Sequence, residues 1–265
     1  MIGNVSIAMF IIYIVLGFLA QTIDGTLGMA YGISCRTFLK SIGNLPSATA
    51  SAVVHCAEMF TTLVSGISHI KLKNVMKEML WKLMIPGAIG GALGAWFVSS
   101  IGNVLEPFID IYLIVMGVII FCKAFVKKEQ KTRHLGNKII PLGFAGGFLD
   151  ASGGGGWGPV VTSTLLASDY DAKKSIGTVN AAEFFVTVAE TTTFVALIND
   201  INSFWPVILG VAIGGVVAAP FAVILCKKIP TKPLLAIVGA VIVLLNIYNL
   251  FREYPRAARD DRPRG

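Results

Sequence analysis

Apolar residues fall in ten blocks along the chain, at 5–23, 27–42, 46–68, 79–99 and 104–126, then 139–150, 156–168, 173–198, 204–226 and 232–251. Blocks of about 20 residues are long enough to cross the hydrocarbon core of a bilayer as helices. Those at 139–150 and 156–168 are too short to cross alone at ~1.5 Å per helical residue. Between them stand Gly153, Gly154, Gly155 and Gly156, and each glycine in a helix interior costs about 1 kcal/mol relative to Ala. The pattern therefore predicts two half-helices meeting at a glycine break. A similar pair, with a longer first arm, is predicted around Asp24, in Thr22-Ile-Asp-Gly-Thr-Leu-Gly-Met-Ala-Tyr-Gly32. Backbone left unpaired at membrane depth is tolerated only where it is buried in protein or lines a cavity. The helix that starts after a break directs its free N–H groups and a partial positive charge at whatever binds there. The breaks are the candidate binding site.

The two halves of the chain repeat. Leu16-Gly17-Phe18 matches Leu142-Gly143-Phe144 and Asp24 matches Asp150 at an offset of 126, which also places Gly28 on Gly154. Val54-His55-Cys56-Ala57-Glu58 aligns with Val179-Asn180-Ala181-Ala182-Glu183 at 125, and Gly90-Gly91 with Gly214-Gly215 at 124. Each half holds five apolar blocks, or three and a hairpin. Both counts are odd, so the second copy is expected to lie inverted in the membrane. Basic loops agree, with Lys71, Lys73 and Lys77 after the third block of the first half, and Lys227, Lys228 and Lys232 after the fourth block of the second. The expected fold is an all-α polytopic membrane protein of two inverted repeats. These are residues 1–126, a basic cytoplasmic linker at 127–138, a second repeat at 139–251 and a polar, disordered tail at 252–265. Both termini then lie outside, although the arginines of the tail argue the other way.

Composition supports a membrane protein. The chain is 55% hydrophobic and 14% charged, with mean hydropathy +0.75, whereas soluble domains carry about 25% charged residues. The net charge of +7 lies in short clusters between apolar runs rather than on one face, which fits cytoplasmic loops and excludes a nucleic-acid partner. No cleavable leader is evident ahead of the first apolar block. Cys35, Cys56, Cys122 and Cys226 sit inside apolar blocks without metal-like spacing and read as small buried residues. No cofactor and no metal is expected, and the chain reads as a carrier rather than an enzyme.

Several polar residues stand where lipid-facing residues would be cheaper. Asp24 and Asp150 either cap the half-helices that follow or bind a proton or substrate. Glu58 and Glu183 read equally as a proton-coupling pair or as anchors for the breaks. Glu190 follows Glu183 by two turns on the same face, and Ser65 takes its place in the first half. His55, opposite Asn180, is either a hydrogen-bonded core residue or a donor to an oxyanion. Ser47, Thr49, Ser51, Ser175 and Thr178 are helix caps or hydroxyl donors. Tyr31 and Trp157 follow the breaks, packing in the gap or reaching a ligand. Arg36 either snorkels outward with Lys40 or serves as a counter-charge. Candidate substrate contacts are thus Gly28, Tyr31, Ser51, His55, Gly153 to Gly156, Trp157, Thr178 and Asn180, with Asp24, Glu58, Asp150 and Glu183 as coupling or structural acids. Gly87, Gly90, Gly91 and Gly94, like Gly210, Gly214 and Gly215, have the small-xxx-small spacing of close helix packing, within the chain or across a homodimer.

With Ile23-Asp24-Gly25-Thr26-Leu27-Gly28-Met29-Ala30-Tyr31-Gly32 and Gly146-Gly147-Phe148-Leu149-Asp150-Ala151-Ser152 followed by four glycines, Trp157, Gly158 and Pro159, the chain resembles the TauE/SafE sulfite exporter family. The likeness runs from about Leu16 to Asn246. It implies secondary transport, in the inner membrane of a prokaryote, of sulfite, thiosulfate or an organosulfonate such as sulfoacetate. Two other functions compete: a proton-coupled carrier of small carboxylates, and a metal-handling protein or intramembrane enzyme using His55, Cys56 and Glu58.

Overall fold

The computed structural model describes all residues except Met1, Asn4, Asn44, 126–134, Asp169, 226–230 and 261–265. The side chains of 102–106, 167, 172, 223, 225, 231, 234 and 252–260 also lie outside the description. Most of the 127–138 linker, Cys226, Lys227, Lys228 and the charged side chains of the tail are therefore outside the described residues.

Apart from one isolated bridge between Ile2 and Val5, regular structure among the described residues is helical. In chain order the helices are α1 (Ile7–Leu27), α2 (Tyr31–Ser41), α3 (Ser47–Lys71) and α4 (Lys77–Lys123). After them come α5 (Ile139–Gly153), a π-helical turn (Gly158–Thr162) running into α6 (Ser163–Ala167), α7 (Ala172–Leu197), α8 (Trp205–Leu225) and α9 (Thr231–Asp260). Ile7–Leu27, Ser47–Lys71, Lys77–Ile101 and Ile201–Ala222 are long and apolar enough to cross a membrane. The fourth and fifth apolar blocks, expected as separate segments, form the two arms of α4, separated by a kink at Ile101, where the backbone is not helical (φ −134°, ψ 18°).

Helices α3 and α7 form the centre, packed on each other, and the rest wrap around them. Helix α1 lies on α8 and α5 on the first arm of α4, while α9 covers the second arm. Glycines allow these close crossings. A methyl group at Gly17 would overlap the Val211 carbonyl, one at Gly214 the Ile14 carbonyl, and one at Gly90 the Phe144 carbonyl. The glycine-rich fourth blocks thus serve packing within one chain. Ile11, Val15 and Leu19 of α1, Ile85, Ile89 and Trp96 of α4, and Val217, Phe221 and Ile224 of α8 point outward, as lipid-facing positions should. Cys122 is exposed with them rather than buried, because it falls on the outer face of α4.

Contacts across the centre are reciprocal. Thr62 and Thr187, equivalent at an offset of 125, meet each other at 3.3 Å. A Cβ on Gly32 would lie 3.0 Å from the Gly154 carbonyl and 3.1 Å from Gly155 Cα, while one on the equivalent Gly158 would press on the Gly28 carbonyl and Met29. Like meets like at the centre, with swapped partners on either side.

Candidate functional site

Both breaks are closed in the same way. Helix α1 ends at Gly28, with φ 68° and ψ 32°, and α5 at Gly154, with φ 69° and ψ 31°. This left-handed conformation is costly for a residue with a Cβ and routine for glycine. Each glycine donates its N–H to the carbonyl four residues back, on Asp24 (2.5 Å) and Asp150. The acids are therefore fixed by the caps one turn before the chain reverses, and both are buried. In the second break the backbone continues through Gly155 at φ 146°, where a Cβ would collide with the Ile33 backbone. The first break passes through Ala30 at φ 86° instead.

The chain after the second break is held by the acid before it. Asp150 Oδ1 accepts from the N–H groups of Gly156 (2.7 Å) and Trp157 (3.0 Å). Asp24 stands in the corresponding place before Tyr31, and both line the space between the breaks. The N–H groups that the glycine break was expected to leave free are thus occupied, in the second break, by the chain's own carboxylate. The two breaks are also tied across. Thr162 donates to the Gly28 carbonyl at 2.6 Å, and the fully buried Arg36, at the equivalent position, packs its stem over Gly154. Arg36 does not snorkel, and neither does Lys40, whose ammonium meets both oxygens of buried Asp110 at 2.9 Å.

Where the breaks meet lies a small space lined by Asp24, Tyr31, Gly32, Glu58, Asp150 and Glu183, together with Ala30, Ile33, Gly155, Gly158 and Pro159. Its empty volume, mouth included, is about 190 Å³. Four carboxylates face one pocket inside a membrane protein, where uncompensated charge is expensive. Beside it, His55 Nδ1 stands 3.1 Å from Glu58 Oε2 and 3.1 Å from Glu190 Oε2, with its ring stacked 5.8 Å from that of Phe194.

Other candidate residues have structural commitments. Ser51 Oγ donates to the Ala151 carbonyl at 2.8 Å, fastening α3 to the end of α5. The Trp157 indole is fully buried and donates to the Val179 carbonyl at 3.3 Å, so its N–H faces α7 rather than the pocket. Thr178 accepts from the Met76 N–H and donates to the Lys174 carbonyl, bracing the start of α4. Asn180 is held by Ser65 at 2.7 Å and by the Ile176 carbonyl. Gly153 lies against the Tyr112 ring. The geometry brings together Asp24, Gly28, Tyr31, His55, Glu58, Asp150, Gly154 to Gly156 and Glu183, and leaves Thr178 and Asn180 aside. Pro159 and Asp110 were not singled out beforehand. For Asp110 the signal was present, as a lone charge within the fifth apolar block.

The chain matches the family described as Sulfite exporter TauE/SafE over residues 13–249. It is 40% identical over 253 residues to the "Probable membrane transporter protein YtnM" of Bacillus subtilis (strain 168), covering 92% of this chain and 83% of that protein. It is 28% identical over 181 residues to the "Probable membrane transporter protein YdhB" of the same organism, covering 65% of this chain and 70% of the other. No solved structure matches. With most of its length matched, its apolar helices and its paired breaks, the chain belongs to the TauE/SafE sulfite exporter family and is a multi-pass membrane transporter.

Proposed function

We propose that the protein is a secondary transporter that carries a small sulfur-containing anion, sulfite or an organosulfonate such as sulfoacetate, by alternating access and together with protons. One observation carries this reading: two equivalent helix breaks meet at one pocket lined by their acids, and the second holds its carboxylate on the N–H groups where an anion would bind. Asp150 is in effect a built-in competitor for the substrate. A carboxylate that takes up a proton loses its charge and its hold on the N–H groups of Gly156 and Trp157, which then become donors for an incoming oxyanion. Proton and anion therefore favour each other's binding. Asp24 plays the same part at Tyr31, while protons on Glu58 and Glu183 remove the remaining repulsion around the pocket.

The odd number of segments per repeat, with the swapped basic loops, supports an inverted arrangement. A local two-fold then lies in the membrane plane, and rocking one repeat against the other opens the pocket to each side in turn. The family membership supports the sulfur-anion class.

The test is uptake of radiolabelled sulfite into proteoliposomes under an imposed pH gradient, with thiosulfate, sulfoacetate, sulfate and acetate as competitors. Uptake is expected to rise several-fold when the side from which sulfite enters is acidified, to fall with a protonophore, and to be blocked by sulfur oxyanions before acetate. Flux indifferent to the gradient would refute the coupling. Stronger competition by acetate would favour the carboxylate carrier.

A further inference from the structure

The acids outnumber the cations placed beside them, and the excess is concentrated at one point. His55 on α3, Asp150 at the end of α5 and Glu190 on α7 each present a ligand atom, all within 4.8 Å of one another and all three residues buried. Three atoms of this cluster have neither a hydrogen-bond nor an ion-pair partner among the described residues, His55 Nε2, Asp150 Oδ2 and Glu190 Oε1, while Glu190 Oε2 meets His55 Nδ1 at 3.1 Å. Buried polar atoms are almost always paired. Three residues from three separate helices that converge with unpaired atoms point to a missing occupant.

We propose that His55, Asp150 and Glu190 form a binding site for a divalent transition-metal cation of zinc-like preference. One imidazole nitrogen and two carboxylates make a ligand set suited to such ions, and less so to Mg²⁺ or Ca²⁺, which favour all-oxygen sites. A 2+ ion also offsets the charge of the two carboxylates that bind it, which a low-dielectric interior would otherwise leave uncompensated. Metal–ligand bonds of about 2.0–2.2 Å place tetrahedral ligand atoms ~3.4 Å apart. Closing from 4.8 Å asks each to move by less than about 1 Å, within reach of side-chain torsions. Glu58, 3.1 Å from His55 Nδ1, is placed to orient the ring as carboxylates do for metal-bound histidines. Gly91 of α4 makes the room, since a Cβ there would stand 2.6 Å from Glu190 Oε1.

The two oxygens of Asp150 then have separate tasks. Oδ1 caps the N–H groups of Gly156 and Trp157, and Oδ2 holds the cation. A cation on Oδ2 holds Asp150 seated on those N–H groups through Oδ1, so cation and transported anion exclude each other. The site stands without the transport reading, and only this exclusion rests on it.

The experiment uses the full chain, purified without a histidine tag, stripped with chelator and titrated with Zn²⁺, Co²⁺ and Mg²⁺. About one Zn²⁺ per chain is expected, with a rise in Tm that Mg²⁺ does not give, and a Co²⁺ spectrum with the visible bands of an N/O site of low coordination number. Glu190→Gln should weaken Zn²⁺ binding at least tenfold, while Glu78→Gln, an exposed control, should not. No Zn²⁺ retained and no Tm shift in the unmodified chain would overturn the site. So would Co²⁺ bands that persist unchanged in both Glu190→Gln and His55→Asn. Should either variant fail to fold, the Co²⁺ spectrum of the unmodified chain still decides. The exclusion is read separately: Zn²⁺ should inhibit sulfite uptake by the unmodified protein and not by Glu190→Gln. Tight Zn²⁺ binding without inhibition would refute the exclusion and leave the site in place.

Discussion

The pair His55–Glu190 and the pair Asn180–Ser65 occupy equivalent positions, each residue shifted by 125, and each pair bridges α3 and α7. The second is a neutral hydrogen bond of 2.7 Å, complete in itself. The first is ionisable, with atoms left over. The same contrast recurs at the breaks, where Thr162 hydrogen-bonds Gly28 and Arg36 covers Gly154. One side of each pairing shows what the scaffold requires, which is a small neutral contact at each place. The other side shows what has been added. Arg36, His55 and Glu190 all gather near the second break, so the chemistry beyond packing is concentrated there.

The largest effect is expected from Gly155→Val. Its φ of 146° and its contact with the Ile33 backbone leave no room for a side chain, so uptake should vanish. The equivalent residue, Met29, already carries a side chain, so Met29→Val should retain transport. Next comes the replacement of the charged pair by its neutral counterpart, His55→Asn with Glu190→Ser. Tm should stay within a few degrees, because Asn180 and Ser65 show that the contact can be neutral, while Zn²⁺ binding falls at least tenfold. A collapse of folding would mean that the ionisable pair is structural. Asp150→Asn should leave a cap on Gly156 and Trp157 but remove the competing charge, so sulfite binding should tighten several-fold. An unchanged Kd would mean that this carboxylate does not compete with the anion. Thr162→Val strands the Gly28 carbonyl and should cost about 1 kcal/mol, seen as a drop of a few degrees in Tm. The smallest change is Ala30→Gly, which relieves φ 86° and is expected to raise stability by less than about 1 kcal/mol.

The breaks were legible because their signals are local. Asp24 and Asp150 precede glycines by four residues, and a left-handed helix cap needs a glycine whatever surrounds it. The likeness of the two breaks was legible for the same reason, since Gly28 and Gly154 stand at the same distance after Asp24 and Asp150. What could not be read depends on distant partners. Arg36 and Lys40 sit on an 11-residue helix, short enough for their side chains to reach water, until Asp110, 70 residues away, is brought against Lys40. Trp157 and Thr178 looked like ligand contacts beside a gap. Only the packing of α7 and α4 shows where their donors point. The division between the fourth and fifth blocks was legible in the uncharged Ser99–Asn103, where the kink at Ile101 parts the two arms of α4.

That the anion sits where the two breaks meet is tested most directly at Gly32, which lines the pocket and faces Gly154 and Gly155 of the other repeat. The measurement is equilibrium binding of radiolabelled sulfite to the purified protein and to Gly32→Ala, whose added methyl would lie 3.0 Å from the Gly154 carbonyl. A Kd raised at least tenfold, with Tm changed by no more than a few degrees, is the expected result. An unchanged Kd in a folded Gly32→Ala protein would place the anion elsewhere and contradict the proposal.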